Sequence, residues 1–269
     1  MPKIFLLECG RLATRDLFVR AGGSPWRRAE IPMNCALVER VDGLLLVDTG
    51  LGSAAARGGA HFPGRAYRWL LGARARLGED AAARVRALGH DPRDVRDVLL
   101  THGHPDHAGG LADFPWARVH LARLELAGFG RRLRGYHPGA WRHWVKWTPF
   151  DFEPDQASGF AGACDLLGDG SVVALHAPGH TPGHTIFQLR GARTTVFHLG
   201  DAAVTPHDYS GPTPRPNLFS RFIAADRRQM RATMALIGKL RRRHPDAVLV
   251  AAHDPAVLGE NARAGTYFF

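Results

Sequence analysis

The sequence predicts one mixed α/β unit, in an order that permits two sheets packed face to face under helices. Three observations carry that reading. The chain has 269 residues, 45% hydrophobic and 22% charged, which is ordinary globular composition and enough chain for a full core. Short apolar runs of strand length alternate with helical patterns, and each half runs from strands into a helix and back. Neither an internal repeat nor a low-complexity linker interrupts the series, so residues 1–269 read as a single domain.

The elements follow in order. Ile4 to Glu8 reads as a short strand. Ala36 to Arg40 and Leu44 to Val47 flank Val41-Asp42-Gly43, and Asp-Gly between two apolar runs predicts a hairpin. Its second strand ends in Asp48-Thr49-Gly50. Ala66 to Leu77 and Ala81 to Leu88 read as helices, and Val95 to Leu100 is an apolar stretch running straight into a histidine-rich loop. Val119 to Leu121 predicts a strand and Ala122 to Ala127 a helix. Gly128 to Phe160 reads as irregular and aromatic, with Tyr136, Trp141, Trp144, Trp147, Phe150 and Phe152. Leu166-Leu167, Ser171 to Leu175, Ile186 to Leu189 and Thr194 to Leu199 are strand-like. Thr205 to Pro216 is a proline-rich loop. Ala224 to Arg243 is the longest helical pattern, with Met230, Met234, Ile237 and Leu240 on one face, and Ala247 to Ala252 is a final strand.

Composition excludes several classes. No apolar run approaches the ~18 residues of a membrane span. The opening residues meet Glu8 too early for a signal-peptide core, and Cys9, Cys35 and Cys164 are too few and scattered for a disulfide framework, so the expected compartment is cytoplasmic. The formal net charge is +10, almost all of it arginine, since only Lys3, Lys146 and Lys239 are lysine. Spread over solvated faces, that arginine does not make nucleic acid the expected partner.

Of the 15 histidines, three fall within Thr101-His102-Gly103-His104-Pro105-Asp106-His107. Gly103 and Pro105 exclude a helix interior there, and a tight loop at a strand end points several side chains into one small volume. Imidazole and carboxylate suit Zn2+, Fe2+ or Mn2+, and one tetrahedral ion cannot use all four side chains and keep an open position, so two metals are expected. Further candidate ligands stand near apolar strands: His180 and His184 in Pro178-Gly179-His180-Thr181-Pro182-Gly183-His184, Asp201 after Leu199-Gly200, and His253 after Ala251-Ala252.

The run HxHxDH, followed by PGHTPGH, GDA and a late strand-end histidine, resembles the metallo-β-lactamase superfamily, from Leu46-Val47-Asp48-Thr49-Gly50 to His253. The resemblance implies an α+β fold, the αββα sandwich of two mixed sheets with helices outside. It implies that His102, His104 and His180 bind one divalent ion, that Asp106, His107 and His253 bind another, and that Asp201 bridges them. Zn2+ is the first expectation, with Fe2+, Mn2+ or Co2+ also accepted by such a set. It implies that His184 supports its loop rather than a metal. Asp48 is expected to orient a ligand or form its turn, and His198 to pack.

Two such ions would share a water and lower its pKa towards ~7, giving a hydroxide that attacks a carbonyl carbon, with Asp106 moving the proton to the leaving group. Within the resemblance, three features lean towards an N-acyl-homoserine-lactone lactonase-like hydrolase acting on a small ester or lactone. They are the length, a loop from Gly10 to Pro32 before the first hairpin, and the complete ligand set. Trp141, Trp144 and Trp147 either line an acyl pocket or pack a core. The tyrosine such lactonases carry after the bridging aspartate is absent here; Tyr209 either reaches in or the role is missing. Thioesterase, phosphodiesterase or nuclease, and iron-dependent persulfide oxidase are the alternatives. A homodimer is expected by analogy with similar lactonases.

Overall fold

The computed structural model describes residues 2–57, 72–129, 135–141, 144–211, 217–258 and 266–268, and in it two sheets face each other through an apolar layer. The strands are β1 (Lys3–Arg15), β2 (Arg28–Arg40), β3 (Gly43–Val47), β4 (Ala73–Arg74), β5 (Val95–Leu99), β6 (Arg118–Ala122), β7 (Lys146–Phe150), β8 (Ala163–Asp165), β9 (Val172–His176), β10 (Thr185–Arg190), β11 (Thr195–Gly200), β12 (Val248–Ala251) and β13 (Thr266–Phe268). The first sheet runs β13-β1-β2-β3-β5-β6-β7, with β4 on β1; the second runs β12-β11-β10-β9-β8. The helices are α1 (Asp16–Val19), α2 (Gly52–Ala56), α3 (Ala81–Ala87), α4 (Pro105–Ala108), α5 (Arg123–Gly128), α6 (Leu218–Ile223) and α7 (Arg227–Arg243).

Side-chain alternation builds the layers. Ile4, Leu6, Ala36, Val38, Leu45 and Val47 point to the middle, against Ala174, Phe187, Leu189, Val196 and Val250 of the second sheet. Their neighbours Leu7, Leu37, Leu44 and Leu46 point outward, onto Ala81, Ala82 and Val85 of α3. On the far side Ile186, Phe197, Leu199 and Leu249 meet Ile237 and Leu240 of α7. A period of two, buried on both faces, thus gives helix, sheet, sheet, helix. This is the expected αββα sandwich. Among the described residues, no helix is long and apolar enough to cross a membrane.

Several expectations change. The loop from Gly10 to Pro32 is mostly strand: β1 continues to Arg15 and pairs with β2 from Arg11↔Pro32 to Arg15↔Arg28. Gly10, with φ 111°, lies in the register shift between Glu8 and Arg11, so it marks a bulge rather than the end of the strand. Leu12, Ile31 and Met33 of this extension bury against Val19, Leu51 and Ala55. The helix expected at Ala66 to Leu77 falls partly outside the described residues, and Ala73–Arg74 pairs with β1 as a strand. The irregular aromatic stretch contains β7, parallel to β6, where Pro149 is tolerated because the strand is at the edge. The strand expected at Leu166-Leu167 is Ala163–Asp165 instead, because the Asp165 carboxylate accepts the N–H groups of Leu167, Gly168 and Gly170 and turns the chain. The long helix starts at Arg227, where Asp226 caps the N–H groups of Arg228 and Gln229. In the proline-rich loop, Pro206–Asp208 form a 3-10 turn, and 212–216 lie outside the described residues.

Candidate metal centre

Strand ends deliver the site. Asp48 follows β3, His102 follows β5, Asp201 follows β11 and His253 follows β12, while His180 and His184 occupy the turn between β9 and β10. The histidine-rich segment is a turn followed by one helical turn. Gly103 does break the chain's regularity, and a Cβ there would collide with the Phe129 ring. Pro105, however, starts α4 rather than preventing it, since Pro at the first helical position lacks only an N–H that would be unpaired anyway. The His104 carbonyl accepts the N–H groups of His107 at 3.1 Å and Ala108 at 2.9 Å. His102 and His104 therefore precede the helical turn while Asp106 and His107 ride on it.

All seven expected ligands converge, in two groups that share Asp201. One is His102, His104, His180 and Asp201; the other is Asp106, His107, His253 and Asp201; within each, one donor atom per residue lies within 4.8 Å of the rest. All seven are buried. His180 Nε2 lies 3.2 Å from His102 Nε2 and 2.9 Å from His104 Nδ1. Asp201 divides its oxygens. Oδ2 lies 3.3 Å from His180 Nε2, and Oδ1 lies 3.3 Å from both His107 Nε2 and His253 Nε2. Asp106 Oδ2 is 3.4 Å from His253 Nε2.

The surrounding hydrogen bonds fix which ring nitrogens face inward. The Pro32 carbonyl can only accept, so His253 Nδ1 carries the proton it donates there at 2.8 Å, and Nε2 faces the other ligands. His107 Nδ1 donates to Asp48 Oδ2 at 2.7 Å, again turning Nε2 towards the centre. Asp48 holds this place from a left-handed backbone, φ 57°, with its other oxygen accepting the Thr101 N–H at 2.9 Å. His107 Nε2, His253 Nε2 and Asp201 Oδ1 are buried without a hydrogen-bond partner, which is the arrangement expected of atoms reserved for a cation. The donor set, imidazoles with carboxylates, fits a borderline divalent ion.

Charge follows the same division. Burial pushes the His102 and His180 imidazoles well below the usual histidine range. Burial opposes protonation of His253 too, but the Asp201 and Asp106 carboxylates outweigh it and raise its pKa to about 10. His107 is likewise raised against burial, by Asp201, Asp48 and Asp106. Burial would raise Asp201, yet the facing imidazoles of His107, His253 and His180 hold it well below the carboxylate range.

The remaining candidates fall elsewhere. His184 Nε2 accepts the Asp201 backbone N–H at 3.0 Å, which spends the lone pair a metal would need. Burial lowers its pKa to about 3, so it stays neutral in that supporting role. His198 is more than packing: its Nε2 donates to the Asn34 carbonyl at 3.0 Å and ties the two sheets. Tyr209 corrects an expectation. It packs with Phe160, Ile237 and Leu240 in the apolar layer beneath α7, because the 3-10 turn at Pro206–Asp208 turns it towards that helix. Trp141 stacks on Phe129 at 4.0 Å, Trp147 meets Phe129 edge-on, and Trp144 is exposed, so the tryptophans serve mainly as packing on the first sheet. Sequence reasoning missed Glu125, Tyr136 and Pro32. Glu125 sits in an ordinary amphipathic run, and a backbone carbonyl such as that of Pro32 leaves no trace in residue identity.

The profile of the metallo-beta-lactamase superfamily matches residues 30–253. A probable metallo-hydrolase of Mycobacterium tuberculosis is 37% identical over 233 residues, 81% of this chain and 73% of that protein. An N-acyl homoserine lactonase of Azorhizobium caulinodans is 26% identical over 282 residues, 99% of this chain and 98% of that protein. Among solved structures, an N-acyl homoserine lactone hydrolase with the product N-hexanoyl-L-homoserine at its catalytic metal center superposes with a TM-score of 0.73. That match has 19% identity and covers 94% of this chain and 93% of the other. At that identity the superposition speaks to the fold alone.

Proposed function

Because the chain belongs to the metallo-β-lactamase superfamily, we propose that it is a dinuclear metal-dependent hydrolase that opens a carbonyl ester, foremost a lactone of the N-acyl-homoserine class. The observation that carries this reading is the pair of four-residue donor groups joined through Asp201. His102, His104, His180 and Asp201 would hold one divalent cation, with Zn2+ the first expectation; Asp106, His107, His253 and Asp201 would hold the other. When bound, such a pair supplies an activated water near neutral pH and polarises a carbonyl oxygen.

The chain's own residues do the rest. Asp48 and the Pro32 carbonyl keep His107 and His253 in the tautomer that turns Nε2 inward. Asp106, whose Oδ2 faces His253 Nε2, carries the proton to the leaving oxygen as the lactone opens. A cavity of about 390 Å³ is lined by Arg27, Arg28, Ile31, Thr205, His207 and Asp254. It has the size of a small-ligand pocket, and Asp254 on its wall follows His253 in the chain. The lactone preference is supported by the lactonase relatives that span the whole chain. The 37%-identical relative carries no substrate in its name, so other esters belong in the test.

The test is a hydrolysis screen of N-acyl-homoserine lactones, thioesters, β-lactams and phosphodiesters with protein of measured metal content. Two equivalents of metal and fastest turnover on the lactones are expected. Two metals with turnover only on thioesters or phosphodiesters would overturn the lactone assignment. A chain that takes up no metal would overturn the hydrolase reading itself. Asp106→Asn, assayed at metal concentrations that fill both sites, is expected to lose about 10²–10⁴-fold in turnover; full turnover with both ions bound removes Asp106 from proton transfer.

A further inference from the structure

Glu125 is a carboxylate outside the ligand set with no exposed surface. It sits in the first turn of α5, and its two oxygens reach two different ligand-bearing turns. Oε1 accepts the Gly103 N–H at 3.0 Å, between His102 and His104. Oε2 accepts the Gly183 N–H at 3.1 Å, in the turn that carries His180. The Tyr136 hydroxyl also donates to Oε1, at 2.6 Å. Tyr136 also lies against the His104 ring, with centroids 5.4 Å apart.

The two glycines explain how one carboxylate reaches both turns. A Cβ on Gly183 would collide with the Glu125 backbone nitrogen, and one on Gly103 with the Phe129 ring at the end of α5. Both turns therefore press directly on the same short helix, which only glycine permits. His102 and His180 are 78 residues apart in the chain, and a buried side chain spans that gap. The Thr185 N–H to Thr101 carbonyl bond, at 2.9 Å, is a second tie between the same segments, but it involves neither His104 nor Gly183.

We propose that Glu125 is a positioning residue for one half of the metal centre: by bridging the Gly103 and Gly183 amides it sets the spacing of His102, His104 and His180. It touches no donor atom of the Asp106, His107 and His253 half. Removing it loosens the three-histidine half selectively. This rests on the dinuclear reading above.

The experiment is metal titration of metal-free Glu125→Gln, which keeps the side-chain shape but turns one acceptor into a donor facing an N–H. Cobalt(II) is the probe; its absorption bands follow the two halves separately, and a competing chelator sets the affinities. Expected is a fall of about 10–100-fold at the three-histidine half with the other half near the parent value, the size of effect seen when a group that orients a ligand is removed. Equal losses at both halves, or no loss, would overturn the proposal, since general destabilisation lowers both. If Glu125→Gln does not fold, by circular dichroism, Glu125→Asp carries the same test. Its shorter carboxylate should give the same order with a smaller drop, and unchanged or equal affinities there count equally against the proposal. A parent chain that binds no pair of ions fails the dinuclear reading instead, so the two failures are distinguishable.

Discussion

The half of the centre made by Asp106, His107 and His253 and the half made by His102, His104 and His180 are held by different physics. In the first, a carboxylate is itself a donor, His107 is backed by the Asp48 carboxylate, and His253 is backed by the Pro32 carbonyl. In the second, Asp48 reaches His102 Nδ1 only at one remove, through the Thr101 hydroxyl at 3.0 Å, and His180 Nδ1 is buried without a partner. A carboxylate behind an imidazole raises its basicity and fixes its ring. The Asp106 half is thus defined by charge and tautomer. The three-histidine half is defined by the placement of two turns, which is why a clamp such as Glu125 matters there. The first half is expected to fill first and to favour harder ions.

The largest effect that would break this comparison comes from Asp201, the donor common to both. Asp201→Ala should leave dialysed protein with fewer than two ions, by elemental analysis, and lower hydrolysis by at least roughly 10²-fold. Retention of both ions would mean the halves do not depend on a shared bridge. Asp48→Asn sharpens the contrast. The amide cannot hold the His107 proton as a carboxylate does, so affinity should fall about 10–100-fold at the Asp106 half, with a smaller fall at the other half, where Asp48 acts through Thr101, read by the same cobalt titration. A fall confined to the three-histidine half would reverse the assignment. The smallest effect is at His184. His184→Leu strips the buried Asp201 N–H of its acceptor, at a cost of roughly 1–3 kcal/mol. Melting of the metal-free protein should drop by roughly 2–10 °C, with the order of the two affinities preserved. An unchanged melting temperature would show that another group takes over that bond.

Legibility in the sequence differed by element for physical reasons. The hairpin at Val41-Asp42-Gly43 and strands β9 to β12 of the second sheet announce themselves because a doubly buried strand is a short apolar run between turn residues. The β1–β2 extension did not, because a bulge glycine looks like a loop glycine in a linear string. The edge strand β7 was hidden by Pro149 and by aromatic residues that pack outward. Tyr209 was plausible by proximity to Asp201 in the chain, but a single 3-10 turn sufficed to send it into the core.

The sequence by itself determined the ligand chemistry: seven histidines and aspartates placed after apolar strands, in an order that resembled one superfamily. Residue type is enough for that, because only a few side chains bind a borderline cation and each candidate follows an apolar strand within a few residues. Tertiary structure alone decided which nitrogen of each ring faces inward, how Asp201 divides its oxygens, and that Glu125 joins two turns far apart in the chain. Those depend on backbone amides and carbonyls meeting across the fold, and every residue carries the same amide and carbonyl.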